Sequence, residues 1–312
     1  MHEFQYTIPP FLKQGDRVAI TCPAGAVVRD EMNEMIETLT HWGLEVVVGK
    51  TVGRHFGKFS APDTTRAAEL QCYLDDELIK AIFFGRGGYG VVRIIDTLRF
   101  DAFCASPKWL VGYSDITCLH AQVQHQYRIA SLHAHMGVAY RQQQRDDEST
   151  QSIYDILFGK SRVECWEAHP LNRVGQASGI LCGGNLAMLS DMIGTPSDTD
   201  TVSKILCIED IGEYKYNIDR MLWQLKRADK LNRLAGLVVG GFTDTQDNEI
   251  PFGMSEYEMV CEKIKEFSFP VAFDAPVGHQ PRNHALLMGG YYTLTVDAHQ
   301  SQLQYLSAQR KA

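Results

Sequence analysis

Three short stretches of this chain carry residue types that could do chemistry. In Gly112-Tyr113-Ser114-Asp115 an apolar run, Trp109-Leu110-Val111, ends in glycine, and a helical pattern begins at 115–126. A hydroxyl at such a strand-to-helix turn projects from the main chain beside helix N-terminal N–H groups, the setting of a nucleophile elbow. Ile116 breaks the hydrolase pattern G-x-S-x-G, so the spacing equally allows Ser114 or Asp115 to cap the helix. The second stretch is Phe84-Gly85-Arg86-Gly87-Gly88-Tyr89-Gly90, four glycines in six residues at another strand-to-helix junction. Glycine lets the backbone turn tightly and bring its N–H groups close to a ligand. No Lys-Ser/Thr follows, so it is not a Walker loop. Glycines 85, 87 and 90 fit G-x-G-x-x-G, but the preceding strand is not the opening one. Pro107-Lys108 also stands where an acidic residue would be needed. A nucleotide loop, a plain turn and an anion or oxyanion cradle all remain open. The third stretch is divided. Glu209 closes the apolar run Ile205-Leu206-Cys207-Ile208, where an unpaired carboxylate would be costly, and His279 follows Asp274-Ala275-Pro276-Val277-Gly278. A serine, an imidazole and a carboxylate at strand ends could act as one Ser–His–Glu relay. Each also has a structural reading: Glu209 or Glu213 could pair with Arg220, and His279 could be an ordinary loop residue.

The elements that must hold these groups read as α/β. Asp16–Cys22 is a short apolar run ending at Pro23-Ala24-Gly25, followed by a helical stripe through Met32, Met35, Ile36, Leu39 and Trp42. Leu44–Val48 is a second strand, 62–79 a helix, Ile79–Phe84 a strand, Val91–Leu98 a helix and Lys108–Gly112 a strand. Strands alternating with helices predict a parallel sheet covered on both faces. After Gln143 the polar run 141–150 and the prolines and glycines of 160–178 suggest a linker at 142–175, with one short helix at Ile153–Phe158. This divides the chain into an N-terminal domain over 1–141 and a C-terminal domain over 176–312. In the latter, Gly183-Gly184-Asn185 leads a helix through 186–192. Strands are expected at 204–208, 237–241, 271–273 and 291–296, and helices at 218–228 and 256–267.

Composition sets limits on partners. The chain has 312 residues, 38 acidic against 30 basic side chains and a net charge of −8. That balance argues against a generic grip on nucleic-acid phosphates. No run approaches the length of a membrane span, and the start lacks the basic and apolar regions of a signal peptide, so a cytoplasmic protein is expected. The eight cysteines, at 22, 72, 104, 118, 165, 182, 207 and 261, form no close pair and read as buried reduced thiols rather than metal ligands.

Taken together, the motifs resemble the LD-carboxypeptidase family, serine peptidases that also include the microcin-immunity hydrolases. The likeness runs from Leu12–Ala19 and Pro23-Ala24 through Gly85–Gly90, Gly112–Asp115 and Gly183–Leu186. It continues at Glu209-Asp210, Tyr216 and Asp219-Arg220 and ends at Gly278-His279. The resemblance implies a flavodoxin-like or amidotransferase-like N-terminal parallel-sheet domain and a smaller C-terminal domain with a mixed, barrel-like sheet. It implies Ser114 as nucleophile, His279 as general base and Glu209 as the acid that orients it, with Glu213 second in rank. Gly88 and the Asp115 N–H would form the oxyanion hole. Arg86, Tyr89 and Tyr216 are candidates for contacting substrate. No metal or cofactor is required. Two departures stand out: His133-Ala134-His135 replaces a His-Gly-Pro run, and Gln280 replaces a glycine.

The implied reaction is release of terminal D-alanine from the L,D-peptide bond of a murein tetrapeptide, as in peptidoglycan recycling. The implied partner is a small peptide, with a homodimer possible. The rival within the family is hydrolysis of a peptidyl- or aminoacyl-nucleotide, for which Trp166 or Tyr216 could stack the base. A reading from another class is a small-ligand-binding protein without catalysis, its glycine loop an anion cradle.

Overall fold

The computed structural model describes residues 6–141 and 147–306. They divide into two compact units, the described residues up to 160 with 284–287, and those over 161–283 with 288–306.

The first unit is built on parallel strands β1 (Arg17–Thr21), β2 (Glu45–Val48), β3 (Ile79–Phe84), β4 (Trp109–Gly112) and β5 (Ser131–His133), in the order β2-β1-β3-β4-β5. This is the flavodoxin-like order, in which the connections leaving β1 and β3 run toward opposite edges of the sheet and open a crevice at the strands' carboxyl ends. The central strands are apolar almost throughout because both faces are covered: β4 is wholly buried, and β3 exposes only Lys80. The helices are α1 (Asn33–His41), α2 (Asp63–Asp75), α3 (Asp101–Ala105), α4 (Thr117–Tyr127) and α5 (Glu148–Leu157). The helix expected over 91–98 is instead two 3-10 turns, Val91–Arg93 and Ile95–Thr97. The β-branched run Val91, Val92, Ile94, Ile95 lowers helix propensity there.

The second unit carries β6 (Val163–Glu167), β7 (Gly175–Asn185), β8 (Ile205–Ile211), β9 (Gly236–Thr243) and β10 (Val271–Ala272). The next strand, β11 (Leu286–Met288), lies beside β5 at the edge of the first sheet. β12 (Tyr291–Val296) and β13 (Gln300–Tyr305) then complete the mixed second sheet, β10-β9-β8-β7-β12-β13-β6. β7 joins its two halves. The first half pairs antiparallel with β12 and alternates partly exposed with exposed residues over 175–178. The second half, Leu181–Asn185, pairs parallel with β8 and is buried throughout. Helices α6 (Leu186–Asp191), α7 (Lys215–Arg227) and α8 (Glu256–Lys263) accompany the parallel half. The stretch 142–175, expected as a linker, holds α5 and β6 among its described residues.

Gly183 shows why its motif needs glycine. Its φ is +117°, and a Cβ there would lie 2.0 Å from the Cys207 carbonyl oxygen on β8. Gly183→Ala should therefore cost about 2–4 kcal/mol in urea unfolding. Gly194→Ala, at φ +81° with nothing within 4 Å of the added carbon, should cost only about 1 kcal/mol.

Candidate active site

In the first unit, β4 ends at Gly112 and the chain turns through Tyr113 into Ser114, which adopts φ +62°. A non-glycine residue in the left-handed region is held there against a conformational cost of about 1–2 kcal/mol per residue. The turn Ser114–Ile116 is not capped by a side chain, so the capping alternative for Ser114 does not apply. Asp115 instead turns its buried carboxylate toward the glycine loop: its Oδ2 accepts the Val91 N–H at 2.8 Å. Burial raises the Asp115 carboxyl above the ordinary aspartate range, against the Val91 and Gly90 N–H groups, which favour the charged form. At the near end of the loop, Gly87 abuts the serine. A Cβ there would stand 2.9 Å from Ser114 Cβ and 3.0 Å from its Oγ. The loop is thus pinned on both sides of the residue singled out from the sequence, Gly88, which has φ +96° and lines an open cleft.

Two positions the sequence did not mark hold this arrangement in place. Arg66 is fully buried on α2 and donates to the carbonyls of Pro23, after β1, and Gly90, after β3, the latter at 3.0 Å. A guanidinium with no exposed surface needs such acceptors. His120, fully buried on α4, lies 2.8 Å through Nε2 from the Gly112 carbonyl. That carbonyl can only accept, so Nε2 carries the proton. The Ala134 N–H donates to the same oxygen at 3.1 Å. Burial pushes the His120 pKa down to about 3, which keeps the ring neutral at ordinary pH. A polar residue within an otherwise buried helix face was the only sequence signal for His120, and Arg66 gave none beyond its place in a helix.

In the second unit, Glu209 is fully buried on β8, and its Oε2 lies 2.7 Å from Nδ1 of His279 and accepts the His279 backbone N–H at 3.2 Å. Gly278 makes this approach possible: its φ is +102°, and a Cβ would sit 2.6 Å from Glu209 Oε2. Glu213 has a different partner, the Asn217 side-chain amide at 3.0 Å. With the carboxylate on Nδ1, the neutral imidazole carries its lone pair on Nε2, as a general base requires. Ser114 belongs to the first unit, and Glu209 and His279 to the second.

The remaining candidates separate. Arg86 and Tyr89 border the cleft beside the glycine loop. Tyr216 is exposed, with the Arg220 guanidinium over its ring at 5.5 Å. Trp166 is not available for stacking: it is buried, and its indole N–H donates to the Phe273 carbonyl at 2.9 Å. The cysteines are also less uniform than expected. All eight are free thiols, but only Cys22, Cys118, Cys182 and Cys207 are buried. Among the described residues, no group of His, Cys, Asp and Glu is arranged to hold a metal ion.

Comparison with known proteins assigns both units. Residues 18–134 match the LD-carboxypeptidase N-terminal domain, and residues 178–294 match the C-terminal domain. The chain belongs to the LD-carboxypeptidase family. A relative in Bacillus subtilis, named "Probable murein peptide carboxypeptidase", is 35% identical to this chain, over 90% of this chain and 89% of its own. The crystal structure of muramoyltetrapeptide carboxypeptidase from Oxalobacter formigenes superposes with a TM-score of 0.81 at 27% identity, covering 93% of this chain and 98% of that one. The microcin C7 self-immunity protein MccF, in a complex with aspartyl sulfamoyl adenosine, shares the fold, with a TM-score of 0.85 at 19% identity and coverage of 96% and 99%. The family supports assignment of the chain as a peptidase. None of its helices is long and apolar enough to cross a membrane, among the described residues.

Asp210, next to Glu209, offers a direct check on the electrostatics of the buried carboxylates. It accepts from Asn185, Ala187 and Ile211, yet burial and then the Glu209 charge raise its pKa to about 7. The Asp210 carboxyl should titrate near pH 7 by carbon NMR, and Glu209→Gln should move that titration lower by removing the neighbouring charge.

Proposed function

We propose that this chain is a serine-type LD-carboxypeptidase that hydrolyses the L,D-peptide bond of a murein tetrapeptide and releases its terminal D-alanine. The observation that carries the serine-type reading is the backbone of Ser114, held at φ +62° at the end of a buried strand with Gly87 against its side chain. Such a strained turn exposes a hydroxyl for attack, and strain is retained where surrounding structure enforces it. The Glu209–His279 hydrogen bond supports His279 as the general base. The murein substrate is supported by the names of the Bacillus and Oxalobacter relatives.

In this mechanism Ser114 Oγ attacks the carbonyl carbon of the scissile amide while His279 Nε2 takes the hydroxyl proton. Glu209 holds Nδ1 and stabilises the imidazolium. The Gly88 and Asp115 N–H groups receive the oxyanion, each donor worth about 3–4 kcal/mol in the transition state. The C–N bond then breaks as His279 returns the proton to the leaving amine, freeing D-alanine. Water, activated by the same imidazole, cleaves the serine ester and restores the enzyme.

The peptidyl-nucleotide reading has fold likeness to MccF behind it, but the buried Trp166 removes one of its two stacking candidates. The wild-type enzyme should release D-alanine from a murein tetrapeptide, read by mass spectrometry. Ser114→Ala should lower kcat by about 10⁴-fold or more, and Glu209→Gln by about 10²–10⁴-fold, with the fold retained by circular dichroism. Unchanged turnover in Ser114→Ala would remove the serine from the mechanism. Hydrolysis of an aminoacyl sulfamoyl adenosine without D-alanine release would favour the rival.

A further inference from the structure

The crevice at the β1/β3 switch point is basic, although the chain as a whole carries a net charge of −8. It encloses about 710 Å³ and is walled by three loops: the one after β1, the one after β2 and the glycine loop after β3. Arg29, Arg54, Lys58 and Arg86 come from these three loops, against Asp30 and Glu31. Among the described residues, none of the four cations forms an ion pair. Glu31 is engaged locally, accepting the Val28 N–H at 3.0 Å. Arg86 is held from behind, its guanidinium donating to the Ala26 carbonyl at 3.2 Å, and Lys58 lies over the Tyr89 ring at 5.0 Å.

The glycine loop that forms one wall of this crevice also reaches the serine. Gly25 donates its N–H to the Gly87 carbonyl at 3.0 Å, and Gly87 is the residue that abuts Ser114. Arg66 ties the same two loops together from below. A ligand reacting at Ser114 can therefore extend over the loop into the crevice. Unpaired cations in a concave site focus positive potential, and guanidinium forks match carboxylates in bidentate geometry. Because the cations are spread over three loops, they suit negative charges distributed along an extended ligand rather than one compact anion.

We propose that this crevice is a specificity subsite for the carboxylates of an acidic peptide substrate lying away from the scissile bond, read by Arg54 and Lys58 together with Arg29 and Arg86. The assignment rests on the peptide reading of the active site. It makes the enzyme selective for stem peptides whose non-terminal carboxylates are free over the same peptides with those groups amidated.

The test is calorimetric binding to Ser114→Ala protein, which separates recognition from turnover. The probes are a murein tetrapeptide with free non-terminal carboxylates and its twin amidated at those positions. The free acid should bind at least about ten-fold more tightly at low salt, and the advantage should shrink at high salt. Arg54→Gln with Lys58→Gln, both exposed positions, should bring the two affinities together. Equal binding of the twins to the unaltered crevice would overturn the subsite, with no variant needed. Tighter binding of inorganic phosphate or a nucleotide than of the free-acid peptide would overturn it as well. Should wild-type enzyme fail to cleave either peptide while charge-dependent binding persists, the subsite stands and the carboxypeptidase reading falls.

Discussion

A carboxylate without exposed surface must be paired, and at Glu209 that demand organises much of the second unit. The carboxylate sits within a strand buried on both faces, and it is met by the imidazole and the backbone N–H of His279. That contact dictates glycine at 278, where any side chain would strike the carboxylate. The crowding continues one strand away. β7 approaches β8 so closely at Gly183 that a side chain would collide with the Cys207 carbonyl. Asn185, at the end of the same strand, donates to Asp210 at 3.0 Å. Two adjacent buried acids thus divide their roles by partner, one facing an imidazole and the other amide donors.

The first unit meets a different constraint. Parallel strands deliver all their carboxyl ends to one edge, where the chain must leave a buried strand and start a helix within a few residues. The loops after β1, β3 and β4 do this close together, and buried polar groups lock them. Arg66 joins the first two, the Asp115 carboxylate joins the last two, and His120 fixes the carbonyl just before the turn. Because each polar group is buried and bonded, small movements would leave it unsatisfied, so the backbone of Ser114 can be held in a strained conformation.

Much of this was legible in the chain. The strands β3, β4, β8 and β9 announced themselves as apolar runs, because strands covered on both faces need no polar positions. The glycine loop and the serine turn were visible because each lies at the end of such a run. Strands with one solvated face were harder to read. β6, with alternating buried and exposed residues, and β13, with three glutamines, carry too little hydrophobic signal to stand out from loop sequence. The turns over 91–97 were read as a helix, because spacing alone does not register the cost of a β-branched run or the pull of Asp115 on the Val91 N–H.

By itself, the sequence determined the fold class, the chemistry available at three strand ends and membership of the expected family, since each depends on residues close together or on ordered motifs. Tertiary structure decided which carboxylate meets His279, because Glu209 and Glu213 differ only in which way the chain turns them: one into a buried sheet, the other toward Asn217. It also decided that Trp166 is core, that half the cysteines are not buried, and that Gly87 rather than its neighbour touches the serine. The basic crevice belongs to the same class. Arg29, Arg54 and Arg86 lie on three separate loops, and no local pattern records that a parallel sheet brings those loops to one edge.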